Sequence, residues 1–168
     1  MGRRSTKENK NIYQLSREEL SVTRDKASEL LEYISADRIE KIESGKTLPQ
    51  PDEILTMAKC YKKPHLPNYY CSHECPIGQE YVPEIEIKEL SQIVLEMLGT
   101  LNYIDGQKNR LIEITMDGKI TEDEFNDFRT IQNMLNKISL TADSLQLWIE
   151  SSIANGQIDI ELWDSSKE

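Results

Sequence analysis

The residues best suited to chemistry stand close together in mid-chain: Cys60, His65, Cys71, His73 and Cys75 fall within sixteen positions. Thiolates and imidazoles at such spacing can close a tetrahedral zinc site, which would staple a segment too rich in proline to build its own core. Cys60, Cys71, His73 and Cys75 are the candidate ligands. The same residues also fit a plainer reading, buried inert thiols beside surface histidines. Further on, Glu113 to Glu124 (EITMDGKITEDE) overlays a calcium-binding loop through Asp117, Gly118, Ile120 and Glu124. It opens on Glu113 and has Thr115 at the third place, and a helix-to-helix turn accounts for every residue equally well. There is no glycine-rich loop to cradle a phosphate, and neither His65 nor His73 stands near a serine elbow. The expectation is a protein that is not an enzyme and uses no cofactor, a structural zinc being the one alternative.

Charge narrows the partners. The 168 residues carry 20 Lys/Arg and 30 Asp/Glu, a formal charge of -10. The balance is uneven: residues 1–63 hold 13 basic and 11 acidic side chains, residues 64–168 hold 7 and 19. Such asymmetry suggests two modules with different partners, and only the first tolerates a phosphate backbone nearby. No run reaches the ~18 consecutive apolar residues of a membrane span. The opening MGRRSTKENKN lacks the apolar stretch of a secretory signal, and three cysteines make no disulfide framework. A cytoplasmic location is expected, with neither a membrane nor a small-molecule ligand as partner.

The elements that would position these residues are helices. Residues 1–10 read as a basic flexible arm, with Arg3, Arg4, Lys7 and Lys10. Residues 12–20 form a first helix. Thr23 caps a second, with Asp25 in its first turn, and Ser35 caps a third that carries Ile39 and Ile42 on one side and stops at Gly45. Pro51 can open a fourth without losing a hydrogen bond, and Asp52 and Glu53 suit its positive end.

Thr23, Ala27, Leu30, Leu31, Ser35, Ile39, Ile42, Glu43, Gly45 and Pro49 occupy the places of a known pattern. With them, residues 11–63 resemble the Cro and phage-repressor type of helix-turn-helix, the XRE family, and the Ile42-Glu43-x-Gly45 ending is the most specific part. The resemblance implies a DNA-binding domain whose third helix lies in the major groove of double-stranded DNA. It implies DNA contacts from Ser35, Ala36, Asp37, Glu40, Lys41 and Lys46, with Arg38 at the edge. Arg24, where the family usually carries glutamine, would lie next to the backbone, and Arg3 and Arg4 would follow a groove or the phosphates. The sequence differs from the pattern by one extra residue between Leu31 and Ser35, by Ser21 in place of a glycine, and by acidic Asp37 and Glu40 facing the DNA side.

Residues 64–83, with Pro64, Pro67, Pro76 and Pro83, read as an irregular Pro/Tyr/Cys-rich connector. Residues 84–154 then read as a long antiparallel helical hairpin. From Leu90, steps of four and three reach Val94, Met97, Leu101, Ile104, Lys108, Leu111 and Thr115; from Phe128 they reach Ile131, Leu135, Ile138, Ala142, Leu145 and Ile149. This is the coiled-coil period. Gly99 and Gly106 fall inside the first of these helices, which is expected to run unbroken. Asp117-Gly118 marks the turn, and Thr121 with Glu124 a capping box. Ile93, Leu98, Ile112, Ile114, Met134 and Trp148 lie beside the seam and widen the apolar face, which a second copy could cover. Leu90, Met97, Leu101, Ile131, Leu135, Ile138, Leu145 and Trp148 are the candidate dimerisation residues. The tail, 155–168, alternates at Ile158, Ile160 and Leu162, as a short strand or a peptide ligand would.

The expectation is thus an all-α chain acting as a DNA-binding, repressor-like regulator that dimerises through its hairpin. The competing expectation is a protein-interaction module in which the N-terminal fold is a scaffold and the acidic hairpin the binding surface.

Overall fold

The computed structural model describes residues 9–165. Among them the chain is all-helical, with nine α-helices and no strand. They form two compact units, residues 9–84 with 150–165, and Ile85–Ile149. No helix among the described residues is long and apolar enough to cross a membrane.

The first unit begins with α1 (Ile12–Glu19), α2 (Arg24–Leu30), α3 (Ala36–Glu43) and α4 (Pro51–Cys60). Short polar side chains set the first three starts: Asn11, Thr23 and Ser35 accept from the backbone N–H groups of Gln14, Lys26 and Arg38. Gly45 ends α3 at φ +76°, with its own N–H on the Ile42 carbonyl at 3.0 Å and that of Lys46 on the Lys41 carbonyl at 2.9 Å. Pro51 opens α4, and Glu53 accepts from the Gln50 N–H at 2.7 Å. Tyr13, Ala27, Leu31, Ile34, Ile39, Ile42, Ile54, Met57, Ala58, Tyr61 and Leu66 meet in one core.

Leu66 lies beyond the expected boundary, and residues 64–83 are not irregular. They fold as α5 (Leu66–His73) and α6 (Pro76–Tyr81), within the first unit. Pro67 and Pro76 sit in the opening positions of these helices, where a missing N–H costs nothing. Proline density forbids one long helix but permits several short ones. Tyr13 and Tyr69 meet edge-on at 6.2 Å, and the Tyr13 hydroxyl donates to Glu74 at 2.8 Å. Glycine is required at 78, where any Cβ would collide with the Cys71 carbonyl.

In the second unit lies α7 (Leu90–Thr115), and α8 (Phe125–Ala154) starts there too. Their 26 and 30 residues make rods of ~39 and ~45 Å. Gly99 and Gly106 are inside α7 with open space around them, so the helix passes through both. Gly118 turns the chain at φ +70°, and Asp117 accepts from the Lys119 N–H. Glu124 accepts from the N–H and hydroxyl of Thr121, and α8 starts one residue later. Arg110 pairs with Asp127 at 2.7 Å near the turn, and Glu96 feels Lys137 farther along, so the two helices run antiparallel.

The seam differs from the expected one. On α7 the fully buried positions are Ile93, Thr100 and Ile114, with Met97, Ile104 and Leu111 half-buried between them; Leu90, Val94, Leu101, Lys108 and Thr115 are exposed. On α8, Ile131, Thr141, Ser144 and Leu147 are buried, while Leu135 and Ala142 are exposed. The buried stripe shares every second position with the expected one and is otherwise one residue away. Hydroxyls made this possible. Thr100, Thr141 and Ser144 donate to the carbonyls of Glu96, Lys137 and Leu140 at 2.7, 2.7 and 2.9 Å, so their burial leaves nothing unpaired.

Gly156 stops α8 at φ +74°. The tail then forms a short helix, α9 (Ile160–Ser165), started by Asp159 accepting from the Glu161 N–H at 2.8 Å, and not the short strand that was one of its two expected forms.

Candidate nucleic-acid interface

Residues 23–46 present a helix, a turn and a second helix, and their geometry is fixed from behind by two ionic latches. Glu43, the last residue of α3, has a side chain 1% exposed. It accepts from Arg17 Nε at 2.5 Å and Nη2 at 2.9 Å, and from Arg24 Nε at 2.8 Å. Arg17 also donates to the Val22 carbonyl at 2.6 Å. One buried carboxylate therefore ties α1, the start of α2 and the end of α3 together, and its desolvation is met by charge-assisted bonds on both oxygens.

The second latch is Arg38. Its guanidinium grips Glu53 through Nε at 2.7 Å and Nη2 at 2.6 Å, and also donates to Thr47 at 2.6 Å and the Leu48 carbonyl at 3.0 Å. This fastens α3 to the following loop and to the first turn of α4. The hydrogen bonds from Arg38 hold the Glu53 carboxyl below the usual carboxylate range.

Two positive-φ residues shape the connections. Ser21 and Glu32 both sit at φ +58°. Ser21 is the position where the resembled pattern has a glycine, and the left-handed backbone there explains that preference. Glu32 begins the three-residue turn, 32–34, that leads into the Ser35 cap.

With Ile39 and Ile42 buried, α3 turns Asp37 and Lys41 fully outward and leaves Ala36 and Glu40 half-exposed. Lys41 pairs with Asp37 at 2.7 Å, and Lys46 with Glu40 at 3.1 Å. Lys41 holds the Asp37 carboxyl below its usual range. All four described cations expected at the DNA, Arg24, Arg38, Lys41 and Lys46, thus already have a carboxylate partner. The two arginines are built into the latches. The two lysines are held only by exposed pairs, which are worth little. Arg3 and Arg4 lie outside the described residues. Glu43 stood out in the sequence only as part of the Ile42-Glu43-x-Gly45 ending, and nothing there paired it with Arg17, which lies 26 residues away on α1.

The candidate zinc ligands are not gathered. Among the described residues no three His, Cys, Asp or Glu side chains come together as a metal-holding group. Helix formation over 66–73 separates them. Cys60 turns its thiol to the Leu30 carbonyl at 3.3 Å, His73 stacks on Tyr69 at 4.4 Å, and Cys71 and Cys75 fall on either side of the α5 end. Burial raises the pKa of the Cys60 thiol, away from thiolate character.

The candidate dimerisation residues divide. Ile131 is buried, and Met97, Ile138, Leu145 and Trp148 are half-buried. Leu90, Leu101 and Leu135 face outward.

No family model, curated protein or solved structure matches this chain.

Proposed function

We propose that this chain is a DNA-binding regulator of the helix-turn-helix kind, related in design to the XRE family it resembles, which inserts α3 into the major groove and acts as a homodimer. The observation that carries the reading is the orientation of α3. Its inner face is fixed by Ile39, Ile42 and the Glu43 and Arg38 latches, and Asp37, Glu40 and Lys41 are left on an outer face that, among the described residues, is bound only by exposed ion pairs. Lys41 and Lys46 exchange those carboxylates for phosphates at small cost. Arg24 and Arg38 then act as positioning residues and not as base readers. Binding to a random-sequence duplex at low ionic strength tests the reading. Measurable affinity that falls steeply as salt rises is expected, and Lys41→Ala with Lys46→Ala should weaken it while leaving the fold intact. Selection from random duplexes then gives the preferred sequence.

The second reading is a protein-contact module, and charge compensation favours it. A surface built for phosphates ordinarily keeps its cations unpaired, and here Arg24, Arg38, Lys41 and Lys46 are all neutralised within the same unit. No affinity for any duplex at low salt, with the chain folded, selects this reading.

A further inference from the structure

The seam of the hairpin leaves a second stripe of α7 uncovered. Leu98, Leu101, Asp105, Lys108, Ile112 and the capping residue Met116 follow one another at three- and four-residue steps, so they share one face. All six are exposed, Leu98 at 52%, Leu101 at 46% and Ile112 at 53%. Asp105 and Lys108 form no ion pair with any described residue. Two opposite charges thus stand in the middle of an apolar stripe with no ionic partner among the described residues.

The order of these residues is palindromic in character: apolar, apolar, acid, base, apolar, apolar. We propose that this stripe is a self-association surface whose occupant is α7 of a second copy, laid antiparallel about a two-fold axis between Asp105 and Lys108. In that register Asp105 faces Lys108 of the other copy and the reverse pair forms by symmetry. Leu101 faces the other copy's Ile112, and Leu98 reaches its Met116 end. An isologous contact demands such self-complementarity, because each residue meets the mirror position in the sequence and not itself. A parallel arrangement sets aspartate against aspartate and lysine against lysine, which like-charge repulsion disfavours. Charge complementarity therefore selects both the partner and its direction.

This inference rests on the homodimeric part of the proposed function and identifies its surface; it is independent of DNA binding. Six side chains from each copy make a small interface, so solution mass is to be measured by sedimentation equilibrium over a dilution series of the whole chain. The wild type should show a reversible monomer–dimer equilibrium. Asp105→Lys and Lys108→Asp each place like charges together twice, and each should raise the dimer Kd by on the order of 10- to 100-fold. The double variant restores both pairs and should return the Kd to near the wild-type value. An equimolar mixture of the two single variants should form a heterodimer with both pairs opposite in sign. Circular dichroism of each variant reports whether α7 stays helical. A dimer that the single substitutions leave untouched, or that the double variant fails to restore, overturns this surface alone. A wild-type chain that stays monomeric throughout overturns it together with the homodimeric reading.

Discussion

The two units solve the burial of polar groups in opposite ways. In the first, α1 to α4, helices of seven to ten residues, close around a shared core, and its buried charges are joined between helices. Glu43 receives two guanidiniums and Glu53 one, each bond crossing from one element to another. In the second, helices of 26 and 30 residues bury hydroxyls whose bonds return to their own backbone. Short helices are marginal alone, so their order depends on tertiary latches. Long helices supply their own hydrogen bonds and can leave an apolar stripe outside. Specific geometry belongs to the first unit, spare surface to the second.

The sharpest way to break this contrast is Glu43→Ala. It strands the mostly buried Arg17 guanidinium and frees Arg24, and should cost about 3–5 kcal/mol in chemical denaturation. A loss under about 1 kcal/mol would mean that the latch is dispensable and the first unit is held by its apolar core alone. The seam is tested by a pair of truncations. Ile131→Ala should cost about 2–5 kcal/mol, whereas Leu135→Ala, four residues on but exposed, should stay within about 0.5 kcal/mol at monomeric concentrations. Equal losses would return the seam to the purely hydropathic register. Ser21→Gly should raise the stability of the first unit by about 1 kcal/mol, by relieving a left-handed backbone. The smallest effect concerns acid. Because Arg38 holds Glu53 low in the folded state, the pair's full stabilisation is present above the ordinary glutamate range and is lost as pH falls through the lower folded value. In Glu53→Gln the acid limb of the denaturation midpoint should be flatter; an unchanged limb removes the pair from the account.

Much of this architecture was legible from residue types. Thr23 and Ser35 as caps, Gly45 as a stop, Pro51 as a start and the long run of α7 through Gly99 and Gly106 follow from local rules, because caps and breakers act within a few residues of backbone. What escaped was set by packing. The α7 and α8 sequences each offer two adjacent stripes, and hydropathy chose those with Leu101 and Leu135 over those with Thr100 and Thr141. Nothing local announces that a hydroxyl will bond its own helix and go inside. Residues 64–83 escaped for a related reason, since proline reads as a breaker unless it falls at a helix start. At the candidate interface, the outward set of Asp37, Glu40 and Lys41 was legible from helical phase. The diversion of Arg24 and Arg38 into latches was not, because their partners Glu43 and Glu53 lie 19 and 15 residues away.

The division of labour along α3 has a practical consequence. Among the described residues, the side chains of Asp37, Glu40 and Lys41 bond only among themselves and to Lys46, while the side-chain ties to the rest of the unit run through Ile39, Ile42, Glu43 and Arg38 and leave Ala36 out. Those four outer positions can be randomised together in a display library without touching the scaffold, which makes the unit a ready carrier for grafted specificities.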